Sequence, residues 1–177
     1  MTEPKSNPSP PAVSDDDPNS PPGSYASPPC FMHELNPAYL GYWNAAETVA
    51  LLNELLEAER AGAKVATALG KTSGDAGIKT LLRGIGADEA HFCAMLRREI
   101  ERLGAAPSLA TGAFFDKVMA QKAVDAQVAL LNKGQLWVVR RIRDALPRIS
   151  DDALRSELKH MLDVHVHNIE RCLRPTR

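Results

Sequence analysis

The chain has 177 residues, 44% hydrophobic and 24% charged, and its 21 Lys and Arg nearly cancel its 22 Asp and Glu to leave a formal net charge of -1. That length accommodates one full-sized core, and the missing basic excess excludes a general nucleic-acid binder. No basic stretch leading into an apolar one marks a secretory leader, and no run approaches the ~18 to 20 apolar residues of a membrane span. A soluble, cytoplasmic protein with neither nucleic acid nor membrane as partner is expected.

In chain order, residues 1–35 come first, and nine of the 13 prolines fall there between Pro4 and Pro29. The segment is otherwise rich in Ser, Asp and Asn and nearly empty of large aliphatics, so it cannot bury enough apolar surface to offset chain ordering. It is predicted to be a disordered, solvated tail, although such stretches also adopt polyproline II and dock partners. The folded domain is predicted to span 36–177. Cys30, Cys93 and Cys172 are scattered and unpaired by spacing, which suits reduced thiols.

The remaining prolines, Pro37, Pro107, Pro147 and Pro175, bound blocks rich in Ala, Leu, Glu, Arg and Lys, a helical composition. The cluster at 69–77 (LGKTSGDAG) is a turn, which splits the first block into helices of roughly Trp43 to Leu69 and Lys79 to Leu103, the latter ending at Gly104. After Pro107 a short helix from Ala113 to Ala120 is predicted to continue as a long one to about Leu146. Ser150, Asp151 and Asp152 offer N-cap chemistry for a last helix that reaches about Leu173. The expected fold is all-α: a four-helix bundle of two antiparallel hairpins joined by a crossover.

Unrolling each helix at ~100° per residue shows which polar side chains fall inside an apolar stripe. Glu59 is central among Thr48, Leu52, Leu55, Leu56, Ala63 and Ala66. Glu89 lies amid Leu82, Ile85, Phe92, Cys93, Leu96, Ile100 and Leu103. In the third long helix Gln135 lies amid Leu131, Val138, Val139 and Ile142, with Val124, Val128 and Leu146 at the ends of the stripe. In the last helix His165 is enclosed by Leu158, Met161, Leu162, Ile169, Cys172 and Leu173. Counting from the turns puts Glu59 level with Glu89 and, likewise, Gln135 close to level with His165, so one polar layer is expected.

Two buried carboxylates are costly unless paired, protonated or bound to a cation, and no Lys or Arg is central to any stripe. A metal held by Glu59, Glu89 and His165 resolves the conflict; carboxylate and imidazole donors suit Fe, Mn or Zn. Gln135 would add an oxygen or a supporting hydrogen bond. A metal-free network, in which protonated His165 bridges the two acids and Gln135 completes the bonds, satisfies the same groups.

This pattern of inward Glu and His resembles the ferritin-like superfamily, the rubrerythrins and related di-iron carboxylate proteins. The strings LLNELLEAERAGA, DEAHFCAML and LLNKGQLWVV are similar to an uncharacterised bacterial group of ferritin-like proteins over roughly residues 40 to 173. The superfamily pattern is a Glu from each of two helices and a Glu-x-x-His from each of the other two. By position, Glu59, Glu89, Gln135 and His165 match one ligand position on each helix. Phe92 stands where a His is expected, Leu162 where a Glu is expected, and Gln135 where a Glu is expected. The resemblance therefore implies a reduced site with one Fe or Mn rather than two, Zn being the lesser candidate, and redox chemistry with O2 or peroxide. Cys93, one turn beyond Glu89, is an auxiliary candidate behind the ligands, as is Cys172 near His165. A non-catalytic scaffold or interaction protein that kept the fold is the competing class.

Two other strings fit acidic-x-x-His, Asp88 to His91 and Glu157 to His160. Their phase puts both histidines on polar faces, so they are alternative ligands only if the helices are rotated; with Asp163 and His167 they read as solvated surface. Trp43, Trp137, Tyr39 and Tyr42 read as packing groups. Arg97, Arg98 and the arginines from Arg140 to Arg148 read as exposed faces open to an acidic partner. A homodimer is left open.

Overall fold

Asn44 opens the first helix, α1 (Ala45–Thr72), with a capping box: its side chain accepts from the Glu47 amide and Glu47 accepts from the Asn44 amide, both at 2.9 Å. The computed structural model describes residues 40–173; the expected tail at 1–35, Cys30, Pro37, Tyr39 and Pro175 lie outside them. Helix α1 carries Gly70 within it and ends three residues beyond the expected Leu69. Asp75 caps α2 (Ala76–Arg102) by accepting from the Ile78 amide at 2.7 Å. Gly104, at φ +77°, turns the chain out of α2 in a conformation that a side chain would resist.

The crossover then passes over α1. Arg60 donates to the carbonyls of Ala110 (2.6 Å) and Ser108 (2.9 Å), Asn53 accepts from the Ser108 amide (2.6 Å), and the Ser108 hydroxyl donates to Glu57. A short helix, α3 (Phe114–Met119), does not run on into α4 (Val124–Ala145) as expected. The chain bends at 120–123, and Gln127 closes the corner by donating to the Gln121 carbonyl at 2.9 Å. A 3-10 turn at Leu146–Arg148, with Pro147 inside it, leads to α5 (Asp152–Leu173), whose start is capped by Asp151 accepting from Leu154 at 3.0 Å.

Helices α1 and α2 pack closely because small residues face across the pair: a Cβ added at Gly86 would meet Ala66 at 3.4 Å, and one at Gly70 would meet Leu82 at 3.7 Å. The apolar core forms two clusters. One gathers Leu51 to Leu56, Phe92 to Ile100, Val138 to Ala145 and Leu154 to Leu162; the other gathers Val65 to Leu69, Leu82, Ile85, Val118 and Leu131. Along the chain α1 and α5 pass from the first cluster to the second, and α2 and α4 from the second to the first. The long helices thus run up, down, down and up, with the crossover returning the chain between α2 and α4.

Arg98 and Arg141, read as exposed faces, also tie helices together, and Arg102 does the same. Arg141 meets Glu54 of α1 at 2.8 Å, Arg98 meets Glu157 of α5 at 3.1 Å, and Arg102 meets Asp151 at 2.5 Å. Glu99, buried at the end of α2, lies between Arg98 (3.1 Å) and Arg102 (2.7 Å). At the stripe ends Val124 and Leu173 are exposed, because each stands at a helix terminus past the last facing side chain. Among the described residues no helix is long and apolar enough to cross a membrane.

Candidate functional site

Between the two apolar clusters every long helix contributes one polar side chain: Glu59, Glu89, Gln135 and His165, each no more than 3% exposed. They form two hydrogen-bonded pairs. His165 Nε2 lies 3.0 Å from Glu59 Oε1, and the Gln135 amide donates to Glu89 Oε1 at 3.0 Å. The other nitrogen of His165, Nδ1, lies 2.9 Å from the carbonyl oxygen of Met161. A carbonyl only accepts, so Nδ1 carries a hydrogen and Nε2 is the nitrogen left to face the acids. The Phe92 ring, 5.7 Å from that of His165 between centroids, backs the imidazole.

Three oxygens of this layer have no hydrogen-bond partner among the described residues: Glu59 Oε2, Glu89 Oε2 and Gln135 Oε1. With both carboxyls ionised, the form that would hold a cation, all three are acceptors. A buried acceptor without a donor is unfavourable, and here three are concentrated in one layer.

The two acids are not level. The Glu89 carboxylate lies against Gly62, where an added Cβ would come within 2.6 Å of its Cδ. Gly62 is three residues past Glu59, most of a helical turn, or about 4.5 Å along the axis. The offset follows the register of the hairpin: Gly86 faces Ala66 and Gly70 faces Leu82, which sets Glu89 opposite Ala63 rather than Glu59. With the side chains as they stand, no three His, Cys, Asp or Glu among the described residues gather closely enough to enclose a metal ion.

Burial, and then the charges of Glu59 and Asp88, hold the Glu89 carboxyl well above the ordinary carboxylate range, against a smaller lowering by the Gln135 bond. Burial pulls the His165 imidazole down, but the charge and hydrogen bond of Glu59 outweigh it and the net direction is up. A cavity of about 490 Å³ reaches the layer from the surface between α1 and α4, beneath the crossover. All four polar residues line its inner end, while Thr111 to Ala113, Lys117, Lys133 and Trp137 line the outer part.

A model of a domain of unknown function, DUF6306, matches residues 46–174, a span that holds all four long helices from the second residue of α1 onward. The chain belongs to the DUF6306 family. None of the curated proteins matches it.

The other sequence candidates in the DUF6306 domain lie apart from the polar layer. His91 and His160 are exposed, each edge-on to Phe92 at 5.2 and 5.9 Å. Glu157 pairs with Arg98, exposed Asp163 lies 3.7 Å from Lys159, and His167 is exposed. Asp88 is only half-exposed, because it accepts from Asn168 at 2.9 Å. Cys93 lines a separate surface recess with Arg60 and Arg97, and burial foremost, then Glu59, pushes its thiol up to about 11; burial likewise raises Cys172. Neither thiol is poised to ionise at neutral pH.

Sequence reasoning missed three groups. Gly62 gives Glu89 its space, and a glycine inside a strong helix was the available signal. Asn168, 1% exposed, adds a second inward polar group to α5. Trp137, 41% exposed, is a cavity-rim residue rather than a packing one.

Proposed function

We propose that this DUF6306 domain is a ferritin-like bundle that holds one divalent cation, Fe or Mn ahead of Zn, in its polar layer and serves redox chemistry with O2 or peroxide. The up, down, down, up helix order with a crossover in the middle supports the ferritin-like reading. The observation that carries the cation is the trio of unpartnered acceptor oxygens around a histidine whose Nδ1 is committed to a carbonyl. That donor set fits: two carboxylates, an amide oxygen and an imidazole Nε2 are hard-to-borderline ligands for Fe(II) or Mn(II). A backbone carbonyl behind a ligand histidine fixes its tautomer and orientation, the part Met161 plays here.

Glu59, Glu89 and His165 would hold the cation, with Gln135 either completing the set or orienting Glu89. To do so, Glu59 and Glu89 turn their carboxylates from their present partners toward a common point. When bound, Fe or Mn supplies electron transfer to O2 or peroxide. The chain's own residues do the rest: Met161 keeps Nε2 pointed inward, Phe92 limits the swing of the ring, and the two apolar clusters keep bulk water from both sides of the layer. With Gln135, Phe92 and Leu162 at three of the superfamily's ligand positions, there are donors for one metal and not for two.

One observation favours a second reading, a metal-free scaffold. A proton on His165 Nε2 satisfies the 3.0 Å contact with Glu59 without any metal. Electron paramagnetic resonance of a Mn(II) titration separates the two. The metal reading expects the free Mn(II) signal to be suppressed up to one ion per chain, with suppression lost in Glu59→Ala and His165→Ala. No suppression, together with a Glu89→Leu variant as stable as the parent or more so, supports the scaffold.

A further inference from the structure

The cavity that leads to the polar layer is far larger than an ion or O2 needs. At about 490 Å³ it falls within the range of sites that enclose small organic molecules. Its walls sort by chemistry along its depth. The polar pairs stand at the inner end; Phe114, Leu131 and Val138 form the middle, and Trp137 presents its ring at the rim.

Close backbone contact shapes the middle. The Phe114 ring packs onto Gly134, where an added Cβ would lie 2.7 Å from Cζ, so the crossover seats an aromatic wall directly on α4 beside Gln135. At the mouth Glu54 is paired with Arg141, while Glu57 accepts from the Ser108 hydroxyl, which carries no charge. Lys117 and Lys133 line the same mouth, are exposed, and have no carboxylate partner among the described residues. The two lysines outnumber the one acid there without a cationic partner, so the mouth offers net positive charge above an apolar, partly aromatic channel.

We propose that this cavity binds a flat, apolar organic anion, with its ring or chain between Phe114 and Trp137, its anionic group at Lys117 and Lys133, and its far end facing Glu59, Glu89 and His165. Its role as the substrate of that layer rests on the metal reading; its binding does not. An apolar body matches the walls, and a neutral or cationic head would leave the lysines without a counter-charge.

The probe is 2-naphthoate, with 2-naphthamide as its uncharged counterpart. Quenching of Trp137 fluorescence is followed in a Trp43→Phe background, with and without Mn(II). Saturable quenching by 2-naphthoate at one molecule per chain is expected, with the naphthamide binding about tenfold more weakly, the effect of two charge contacts at a partly screened mouth. Lys117→Glu combined with Lys133→Glu should remove that preference. Ala58→Phe, which fills the channel from α1, and Thr111→Phe, which blocks it from the crossover, should each weaken both probes more than about tenfold. Equal binding of the two probes, or a preference that survives the lysine changes, would overturn the anionic class. Unchanged 2-naphthoate binding in both Ala58→Phe and Thr111→Phe, each folded by circular dichroism, would overturn the site. Binding of 2-naphthoate without uptake of Mn(II) keeps the pocket and removes the metal reading, whereas Mn(II) uptake without 2-naphthoate binding does the reverse.

Discussion

The carboxylate of Glu89 lies in the space that a side chain at Gly62 would fill: an added Cβ would come within 2.6 Å of its Cδ. The glycine is thus a requirement of the polar layer and a weakness in the helix that carries it. Gly62→Ala is expected to destabilise the fold by about 1 to 2 kcal/mol, overpacking outweighing the helix gain of alanine. Gly70→Ala meets Leu82 at 3.7 Å, ordinary contact, and should stabilise by up to about 1 kcal/mol. Urea unfolding of the pair checks this, and stabilisation by both substitutions would show that Glu89 can move aside freely.

Protons bind the layer more tightly in the folded chain. Burial, then Glu59 and Asp88, raise Glu89 well above 4.5, so the folded form keeps a proton that the unfolded chain loses as pH climbs past that value, and stability falls with rising pH. His165 is also raised above 6.5, Glu59 outweighing burial; its contribution is complete below that value and is lost as pH passes the folded one. Metal-free protein should therefore be more stable near about pH 5.5 than near about pH 8.5, and Glu89→Gln should flatten the dependence. Chemical denaturation at the two pH values measures it; an unchanged slope in Glu89→Gln would remove Glu89 as its source.

Arg60 fastens the crossover over the cavity through the carbonyls of Ser108 and Ala110. Arg60→Ala should cost about 1 kcal/mol in global stability, the size of a partly exposed charged hydrogen bond. Amide exchange across 105–113 should accelerate far more than in α1, since Asn53 and Glu57 alone then hold the segment. Equal acceleration everywhere would mean that Arg60 supports the whole fold and not the crossover in particular.

The helices were legible because their boundaries are local chemistry: Asn44, Asp75, Gly104 and Asp151 act as caps within a few residues of where the sequence places the ends. The inward direction of Glu59, Glu89, Gln135 and His165 was legible too, since a 3.6-residue period fixes which side of a helix a residue takes. What the period cannot give is displacement along a neighbouring helix. Glu89 meets Gly62 because of the register and the close approach of two helices, and neither is written in α2 alone. The same holds for Asp88 with Asn168 and for Arg98 with Glu157, pairs made across elements whose registry depends on the whole core. The break between α3 and α4 was hidden by helix-forming residues on both sides, which tertiary packing overrides.

Metal content of the purified chain, measured by mass spectrometry alongside Glu59→Ala and His165→Ala, decides whether the polar layer holds a cation. Fe or Mn near one ion per chain is expected, lost in both variants while their circular dichroism stays helical. A chain that carries no metal, takes none up from added Fe(II) or Mn(II), and is no less stable as Glu89→Leu would contradict it.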